Sequence, residues 1–197
     1  MTDNIVLASG NLGKISEFQA VFKQYNLSPQ SDFSVPEAEE TGLTFLENAL
    51  IKARNAAQYA GIPALADDSG LVVDALDGAP GIYSARYAGI QASDQENLDK
   101  LLVDLEDVAD EFRTARFVCV LAYCRYPADP MPVIAQGVWE GLILREHRGE
   151  GGFGYDPVFY VPEMQCASAQ LTAQQKNAIS HRGQALSELC RLLNFHP

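Results

Sequence analysis

Two adjacent acidic residues are the part of this chain best suited to chemistry. Asp67 and Asp68 follow the apolar run Ala64-Leu65-Ala66 and precede Ser69 and Gly70. A buried strand that stops at two carboxylates at a sheet edge is a typical seat for a hard cation. Because side chains alternate along a strand, we expect at most one acid to bind a metal and the other to brace the loop. A surface turn is the alternative interpretation.

A glycine-containing turn near the start of the chain could bind phosphate. The apolar run Ile5-Val6-Leu7-Ala8 meets Ser9-Gly10-Asn11-Leu12-Gly13-Lys14, and an amphipathic segment follows from Ile15 to about Tyr25. The free N–H groups at a helix start and the helix dipole attract anions, and Lys14 would add a charge. The spacing is not that of a Walker A loop, so an ordinary strand-to-helix connection is the alternative.

A capping box predicts the next helix. Thr44-Phe45-Leu46-Glu47 has the pattern of a helix start, and the helix should run to about Ala60 before Gly61. Lys52 lies at the edge of the apolar face of this helix. Its ammonium group either reaches water or points into a cleft beside Glu40.

A second glycine-dense loop, from Gly149 to Pro157, precedes the apolar run Val158 to Val161. Its glycines allow close approach to a ligand and Phe153 offers a flat face for a base, unless the loop is a tight turn whose aromatics fill the core. Further on, Thr172 caps a short helix that carries Lys176.

The segment Ser180-His181-Arg182-Gly183 leads into a last helix that ends near Leu193. The guanidinium of Arg182 suits carbonyl or phosphate recognition, and a simple helix–helix turn is the alternative.

The other elements define the fold class. Ser93 opens a helix that runs to about Leu105, and strands are expected at Ala115 to Tyr126, Val133 to Trp139 and, more briefly, Gly141 to Leu144. The chain therefore opens as strand-helix-strand and continues with antiparallel pairs. Its 197 residues suit one domain, 1–197, of mixed α/β class.

Composition excludes several partners. The net charge of −12 disfavours extended contact with a nucleic-acid polymer. No apolar run has the length of a membrane helix, so no membrane partner is expected. Met1-Thr2-Asp3-Asn4 lacks a basic start and an apolar signal core, so we expect a cytoplasmic location. The cysteines show no CxxC pair and are expected to be reduced.

Six motifs in register resemble those of one enzyme family over essentially the whole chain. They are Ser9 to Lys14, Ala66 to Leu71, Gly78 to Gly81, Ser84 to Tyr87, Gly152 to Pro157 and Ser180 to Gly183. In these segments the chain resembles the inosine/xanthosine triphosphate pyrophosphatases, also called Ham1-like or non-canonical purine NTP pyrophosphatases.

The resemblance implies a long curved central mixed sheet with flanking helices that form two lobes around a substrate cleft, usually in a homodimer. It implies hydrolysis of a purine nucleoside triphosphate (ITP, dITP or XTP) to the monophosphate and pyrophosphate, with Mg²⁺ as cofactor.

The resemblance also implies roles for individual residues. Asp68 would activate the water and touch the metal, Glu40 would be its companion ligand, and Asp67 would be a helper. Lys14 and Lys52 would draw charge from the phosphate oxygens. The substrate-binding residues would be Ser9, Gly10, Asn11, Leu12, Gly13, Lys14, Ser69, Phe153, Gly154, Tyr155, Asp156, Lys176, His181 and Arg182, of which His181 and Arg182 would read the purine edge.

Two residues depart from the family pattern. Glu150 adds a negative charge near the expected cleft, and Gln170 stands where Glu is frequent, which puts the brace of the Lys176 helix in question. The rival interpretations are a Maf-type nucleotide pyrophosphatase and a non-catalytic nucleotide-binding module. An acid that activates water favours catalysis, because binding alone does not need one.

Overall fold

A computed structural model describes residues 4–22 and 26–193 of the chain. The chain divides into two compact units. Unit 1 contains the segment that ends at Asp68, Cys119–Gly137 and the segment that begins at Gln184; unit 2 contains Ser69–Val118 and Val138–Gly183. The description of residues 1–197 as one domain, with a cleft between two lobes, stays a prediction.

The described strands form a seven-stranded mixed sheet. They are β1 (Asn4–Ala8), β2 (Asn26–Pro29), β3 (Ala64–Val73), β4 (Thr114–Cys124), β5 (Val133–Ile143), β6 (Phe159–Val161) and β7 (Cys166–Ala167). Their order is β2-β1-β3-β4-β5-β6-β7. β1 is parallel to β2 and β3, whereas β6 is antiparallel to β5 and β7. The predicted mixed α/β class is confirmed.

The helices are α1 (Leu12–Val21), α2 (Phe45–Ala60), α3 (Asp94–Asp104), α4 (Ala173–Ile179) and α5 (His181–Leu193). Capping explains three of the starts: the hydroxyls of Thr44, Ser93 and Thr172 each accept a backbone N–H from the first turn. Gly61 ends α2 in the left-handed region, at φ 69°. The sequence therefore predicted both ends of α2 and α3 to within about one residue.

Each unit has an apolar core of its own. In unit 1, Phe18 of α1 and Phe22, the C-cap of that helix, pack with Leu7 of β1, Leu65 of β3 and Leu186 of α5. In unit 2, Leu98 and Leu101 from α3 belong to a cluster with Leu71, Trp139 and Phe159 of the sheet. Cys119, Cys124 and Cys190 are buried, and all four cysteines are free thiols, as the absence of a CxxC pair predicts.

Three predicted boundaries were wrong. β3 does not stop at Asp67 and Asp68 but continues to Val73, and it is an interior strand of the sheet. Helix α1 begins at Leu12 rather than Ile15, and its predicted end at Tyr25 lies outside the described residues.

The third correction concerns β5, which is one continuous strand through Gly141. This glycine does not break the strand; it allows β6 to approach, since a Cβ there would lie 2.5 Å from the Phe159 ring and 2.6 Å from the Tyr160 carbonyl oxygen.

Asp129 ties together the connection that follows β4. Its carboxylate accepts two bonds from the Arg125 guanidinium, at 2.8 and 2.7 Å, and the backbone N–H groups of Arg125 and Met131. The hydrogen bonds from Arg125 hold the pKa of this 1% exposed carboxyl well below its usual range, although burial opposes them.

Asp129→Asn is therefore expected to lower the midpoint of thermal unfolding at pH 7. A carboxyl whose folded pKa is depressed stabilises the protein above its unfolded pKa, about 4, and loses that contribution as the pH falls. The difference in midpoint between wild type and variant should shrink between pH 5 and pH 3. A difference that is constant over this range would contradict the assignment.

Within the described ranges, no helix combines the length and apolar character that are needed to cross a bilayer.

Candidate active site

The acids of β3 lie just beyond the end of its parallel neighbour. β1 pairs with β3 as far as Ala8 and Ala66, and β1 then stops while β3 continues. Asp67 and Asp68 follow the last paired residue directly. The turn that begins at Ser9 leaves the sheet at the same point, and this register explains how Lys14 from α1 reaches an acid of β3.

Five charged side chains of unit 1 form an acid–lysine cluster, which consists of Lys14, Glu40, Lys52, Asp67 and Asp68. Lys14 Nζ lies 2.8 Å from Asp67 Oδ2, and Lys52 Nζ lies 2.7 Å from Asp68 Oδ1 and 2.9 Å from Glu40 Oε1. The two neighbouring acids thus pair with lysines of different helices, as side-chain alternation along a strand requires. Lys52 lies beside Glu40, which was one of the two positions that the sequence left open.

Asn48 is a member of the site that the sequence analysis missed. It is fully buried, and its side-chain amide donates to Asp68 Oδ2 at 3.5 Å and accepts the Gly42 N–H at 2.9 Å. Asp68 is therefore held at both oxygens, by Lys52 and by Asn48. The spacing of Asn48 and Lys52, four residues apart on α2, puts both on one helix face and was a signal available in the sequence.

The acid–lysine cluster carries one excess negative charge, because three carboxylates face two ammonium groups. Burial raises the pKa of Asp68, and the negative charge of Glu40 raises it further. Lys52 and Lys14 oppose this shift but do not cancel it. Burial lowers the pKa of Lys52, but Asp68, Asp67 and Glu40 outweigh it, so the pKa is raised overall. Lys52 therefore stays charged, and Asp68 is a stronger base than an ordinary Asp.

The charges of this cluster fit a divalent cation. Within residues 4–22 and 26–193, no group of three or more His, Cys, Asp or Glu side chains is placed to hold a metal alone. Mg²⁺, however, usually takes one or two carboxylates and completes its shell with water and substrate phosphates. Asp68 and Glu40, which share one lysine, are suitable carboxylates, and a bound cation would relieve the excess charge.

The segment from Ser9 to Lys14 forms the entry to α1. Asn11 is the N-cap, and its Oδ1 accepts the Lys14 N–H at 3.1 Å, while its own N–H donates to Ser9 Oγ at 3.2 Å. Leu12, Gly13 and Lys14 belong to the first helical turn rather than to a loop ahead of it. Among these residues, Ser9 is buried whereas Gly10 and Asn11 are exposed.

Unit 2 contains a second group of the predicted residues, centred on a buried carboxylate. Asp156, which is 2% exposed, accepts the Ser168 hydroxyl at Oδ1 (2.7 Å) and the Phe153 N–H at Oδ2 (2.9 Å). Lys176 Nζ donates to the same Oδ2 at 2.6 Å. We call Phe153, Asp156, Ser168, Lys176 and Arg182 the aromatic–cation cluster.

Two cations of this cluster lie over the Phe153 ring. Lys176 Nζ is 4.7 Å and the Arg182 guanidinium carbon 5.9 Å from the ring centroid. Arg182 also donates to Ser69 Oγ at 2.9 Å, and Arg182 is 2% exposed. Cations at these distances are attracted to an aromatic face. The Ser69 hydroxyl thus orients one of the two cations.

His181 opens α5 and is fixed by aromatic packing. Its ring stacks on Phe117 with centroids 4.8 Å apart and an interplanar angle of 15°, and it also stacks on Trp139 at 6.3 Å and 19°. Phe117 and Trp139 lie on β4 and β5, and the sequence analysis gave them no role at the site. Stacking leaves the edge of the imidazole to form hydrogen bonds.

The remaining loop residues hold the loop in place. Gly154 donates its N–H to Asp94 Oδ2 at 2.9 Å, and the Tyr155 hydroxyl donates to the Ser84 carbonyl at 2.8 Å. Burial raises the pKa of the Tyr155 phenol, so this group stays protonated. Gln170 accepts the Ala167 N–H at 2.9 Å, so the turn ahead of α4 is braced despite the departure from the family pattern.

Gly152 is sterically required by the aromatic–cation cluster. It has φ +76°, and a Cβ at this position would lie 2.1 Å from Asp156 Oδ2. Gly154 also has a positive φ, +59°, but a Cβ there would meet nothing within 4 Å. A substitution at Gly154 therefore introduces backbone strain alone, whereas one at Gly152 adds a steric collision to that strain.

Gly154→Ala is expected to lower the free energy of unfolding by the strain alone, about 1–2 kcal/mol. Gly152→Ala should cost more, because the methyl group also displaces the carboxylate that pairs with Lys176. Chemical denaturation of both variants checks this, and equal losses would show that Asp156 moves aside without cost.

Comparison with known proteins supports a single family. The model of the Ham1 family matches residues 5–192. The dITP/XTP pyrophosphatase of Pectobacterium atrosepticum is 58% identical over 184 residues, which cover 92% of this chain and 93% of that protein. The protein of the same name from Shigella flexneri is 57% identical over 187 residues, 94% and 95% of the two chains.

A solved HAM1 protein from Coxiella burnetii superposes with a TM-score of 0.91 at 54% identity, and the match covers 98% of this chain and 99% of that one. The chain belongs to the Ham1 family.

Proposed function

We propose that this protein hydrolyses non-canonical purine nucleoside triphosphates (dITP, ITP and XTP) to the monophosphate and pyrophosphate, in a reaction that depends on Mg²⁺. The observation that carries the proposal is the acid–lysine cluster, in which a basic carboxylate is held between a lysine and an amide. Relatives at 57–58% identity bear the name dITP/XTP pyrophosphatase, which supports the same substrate class. The family match also favours this function over the Maf-type alternative.

In the proposed mechanism, Asp68 orients the attacking water and takes its proton. The raised pKa of Asp68 makes it a better base, and Asn48 and Lys52 fix its two oxygens. Asp68 and Glu40 would hold Mg²⁺, which supplies positive charge at the α-phosphate when it is bound.

Negative charge grows on the phosphate oxygens as pyrophosphate leaves. Lys14 and Lys52 stabilise this charge, and both are already oriented by acids of β3. We assign the contacts of the phosphate chain to Lys14 and to the segment that begins at Ser9. Asp67 serves as the counter-ion that positions Lys14.

The aromatic–cation cluster binds the base. Phe153 offers its face, and Arg182 and His181 offer donors that suit the 6-oxo group of hypoxanthine and xanthine. Adenine carries an amine there and would leave a buried donor unpaired, which costs about 1–3 kcal/mol. This difference therefore disfavours ATP as a substrate.

The direct test is a panel of nucleoside triphosphates with Mg²⁺, scored separately for pyrophosphate and orthophosphate. We expect pyrophosphate as the first product, a clear preference for dITP and XTP over dATP and dGTP, and no turnover with a chelator. Release of orthophosphate first, or equal rates for all purines, would contradict the proposal. Replacing Mg²⁺ with Ca²⁺ and Mn²⁺ identifies the metal.

The proposal includes the single domain 1–197, the cytoplasmic location and the homodimer that the sequence analysis expects. Light scattering during size-exclusion chromatography tests the homodimer. A measured mass near 21.5 kDa, which is that of one chain, would contradict it.

A further inference from the structure

Ser168 has a contact whose geometry suits a role in base recognition. It is 1% exposed, and its hydroxyl donates to Asp156 Oδ1 at 2.7 Å. A hydrogen bond from a buried hydroxyl to a buried carboxylate is stronger than one between neutral groups. The segment that carries Ser168 showed no motif from which the sequence analysis could assign it a role.

Both oxygens of the Asp156 carboxylate accept hydrogen bonds from groups of the protein. Ser168 takes Oδ1, and the Phe153 N–H and Lys176 Nζ share Oδ2. The side chain is also only 2% exposed. Asp156 therefore acts on the substrate through Phe153 and Lys176 rather than by direct contact.

The Ser168 hydroxyl is the donor that holds the Oδ1 side of the Asp156 carboxylate. The last torsion of an Asp side chain is broad and has weak preferences of its own. With Oδ1 held by Ser168, Oδ2 is aimed at the Phe153 backbone and the Lys176 ammonium. The same oxygen lies close to the Gly152 backbone, since a Cβ at position 152 would be 2.1 Å from it.

We propose that Ser168 is a positioning residue for the purine base: it fixes the Asp156 carboxylate, which sets the orientation of Phe153 and the place of Lys176 over its ring. The proposal rests on the proposed function, which it deepens. Ser168 governs affinity and selectivity for the base and leaves the phosphate contacts alone, because its side-chain hydrogen bond to Asp156 lies in the aromatic–cation cluster.

The test separates the two parts of the nucleotide. Wild type and Ser168→Ala are compared for inhibition by IMP, which carries the base, and by inorganic tripolyphosphate, which does not, and for kcat/KM with dITP and dATP. We expect IMP to bind roughly tenfold more weakly to the variant, with a similar loss in the preference for dITP over dATP. Inhibition by tripolyphosphate should stay within about twofold of wild type. The decrease in kcat/KM for dITP should come from a higher KM rather than from a lower kcat.

Two further variants keep the test decisive. Ser168→Cys keeps a side-chain donor, although a weaker and larger one, and its affinity for IMP should lie between those of wild type and Ser168→Ala. It also serves as the second variant if Ser168→Ala folds poorly. Ser84→Ala is the matched control, because Ser84 is another buried hydroxyl of unit 2 that bonds to the backbone of Leu71 and Gly81. It should lower stability without changing the preference for dITP over dATP.

Equal weakening of IMP and tripolyphosphate, or an unchanged preference in Ser168→Ala, would overturn the role of Ser168. A wild-type protein that fails to hydrolyse dITP would instead overturn the proposed function itself. The two failures are therefore distinguishable within one set of measurements.

Discussion

Asp68→Asn is expected to reduce kcat for dITP by roughly 10²–10⁴-fold, which is the usual contribution of a general base. The amide keeps the shape of the side chain and can still face Asn48, but it cannot accept the proton of the attacking water. Binding of dITP, measured by calorimetry with the inactive variant, should persist because the aromatic–cation cluster is untouched. Rapid-quench measurement of pyrophosphate gives kcat.

Asp67→Asn is the matched control for this experiment. It removes one carboxylate charge from the adjacent residue, which is paired with Lys14 rather than Lys52. We expect a smaller loss that is expressed in KM, because Lys14 loses its partner but Asp68 remains. Turnover that survives in Asp68→Asn but collapses in Asp67→Asn would reverse the assignment of the base.

Lys52→Met is expected to lower kcat by roughly 10²–10³-fold, the range seen when one stabilising donor is removed from a reacting centre. Lys52 Nζ contacts both Glu40 and Asp68, so its removal also leaves two carboxylates without their shared cation. Affinity for Mg²⁺ in the absence of nucleotide should therefore rise while turnover falls. Titration of Mg²⁺ by calorimetry, alongside kcat, measures the two effects separately.

Lys100→Met provides the comparison for Lys52→Met. Lys100 forms an ion pair with Asp104 one helical turn away, but both side chains are partly exposed on α3. Its loss should change neither quantity appreciably, since exposed pairs contribute little. If Lys52→Met lowered turnover and metal affinity together, Lys52 would be acting by supporting the fold rather than by its charge.

The sequence predicted elements with strong local signals and missed those that depend on distant neighbours. Three helix starts were predicted from the N-cap residues Thr44, Ser93 and Thr172, because a cap is a local hydrogen bond. Asp67 and Asp68 were expected to end their strand, yet β3 continues, because pairing of an interior strand overrides the turn preference of these residues. Gly141 was expected to separate two strands for the same reason, but it lies within β5, where the absence of a side chain leaves room for the Phe159 ring.

The charged groups of the candidate site were also easier to predict than their supports. Lys14 and Asp68 stood in recognisable motifs and Lys52 at the edge of the apolar face of a predicted helix, whereas Asn48 and Ser168 were missed. Asn48 could have been found from its spacing to Lys52 on α2. Ser168 carried no signal, because its contact with Asp156 depends on how a later turn folds back on the glycine-dense loop.

The excess negative charge of the acid–lysine cluster bears on the form in which nucleotide is taken up. A metal-free nucleoside triphosphate is a polyanion and is repelled by a region of the same sign. The nucleotide–magnesium complex brings its own counter-ion and avoids this repulsion. The reaction velocity should accordingly follow the concentration of that complex rather than total nucleotide, and surplus uncomplexed nucleotide should be a poor competitor.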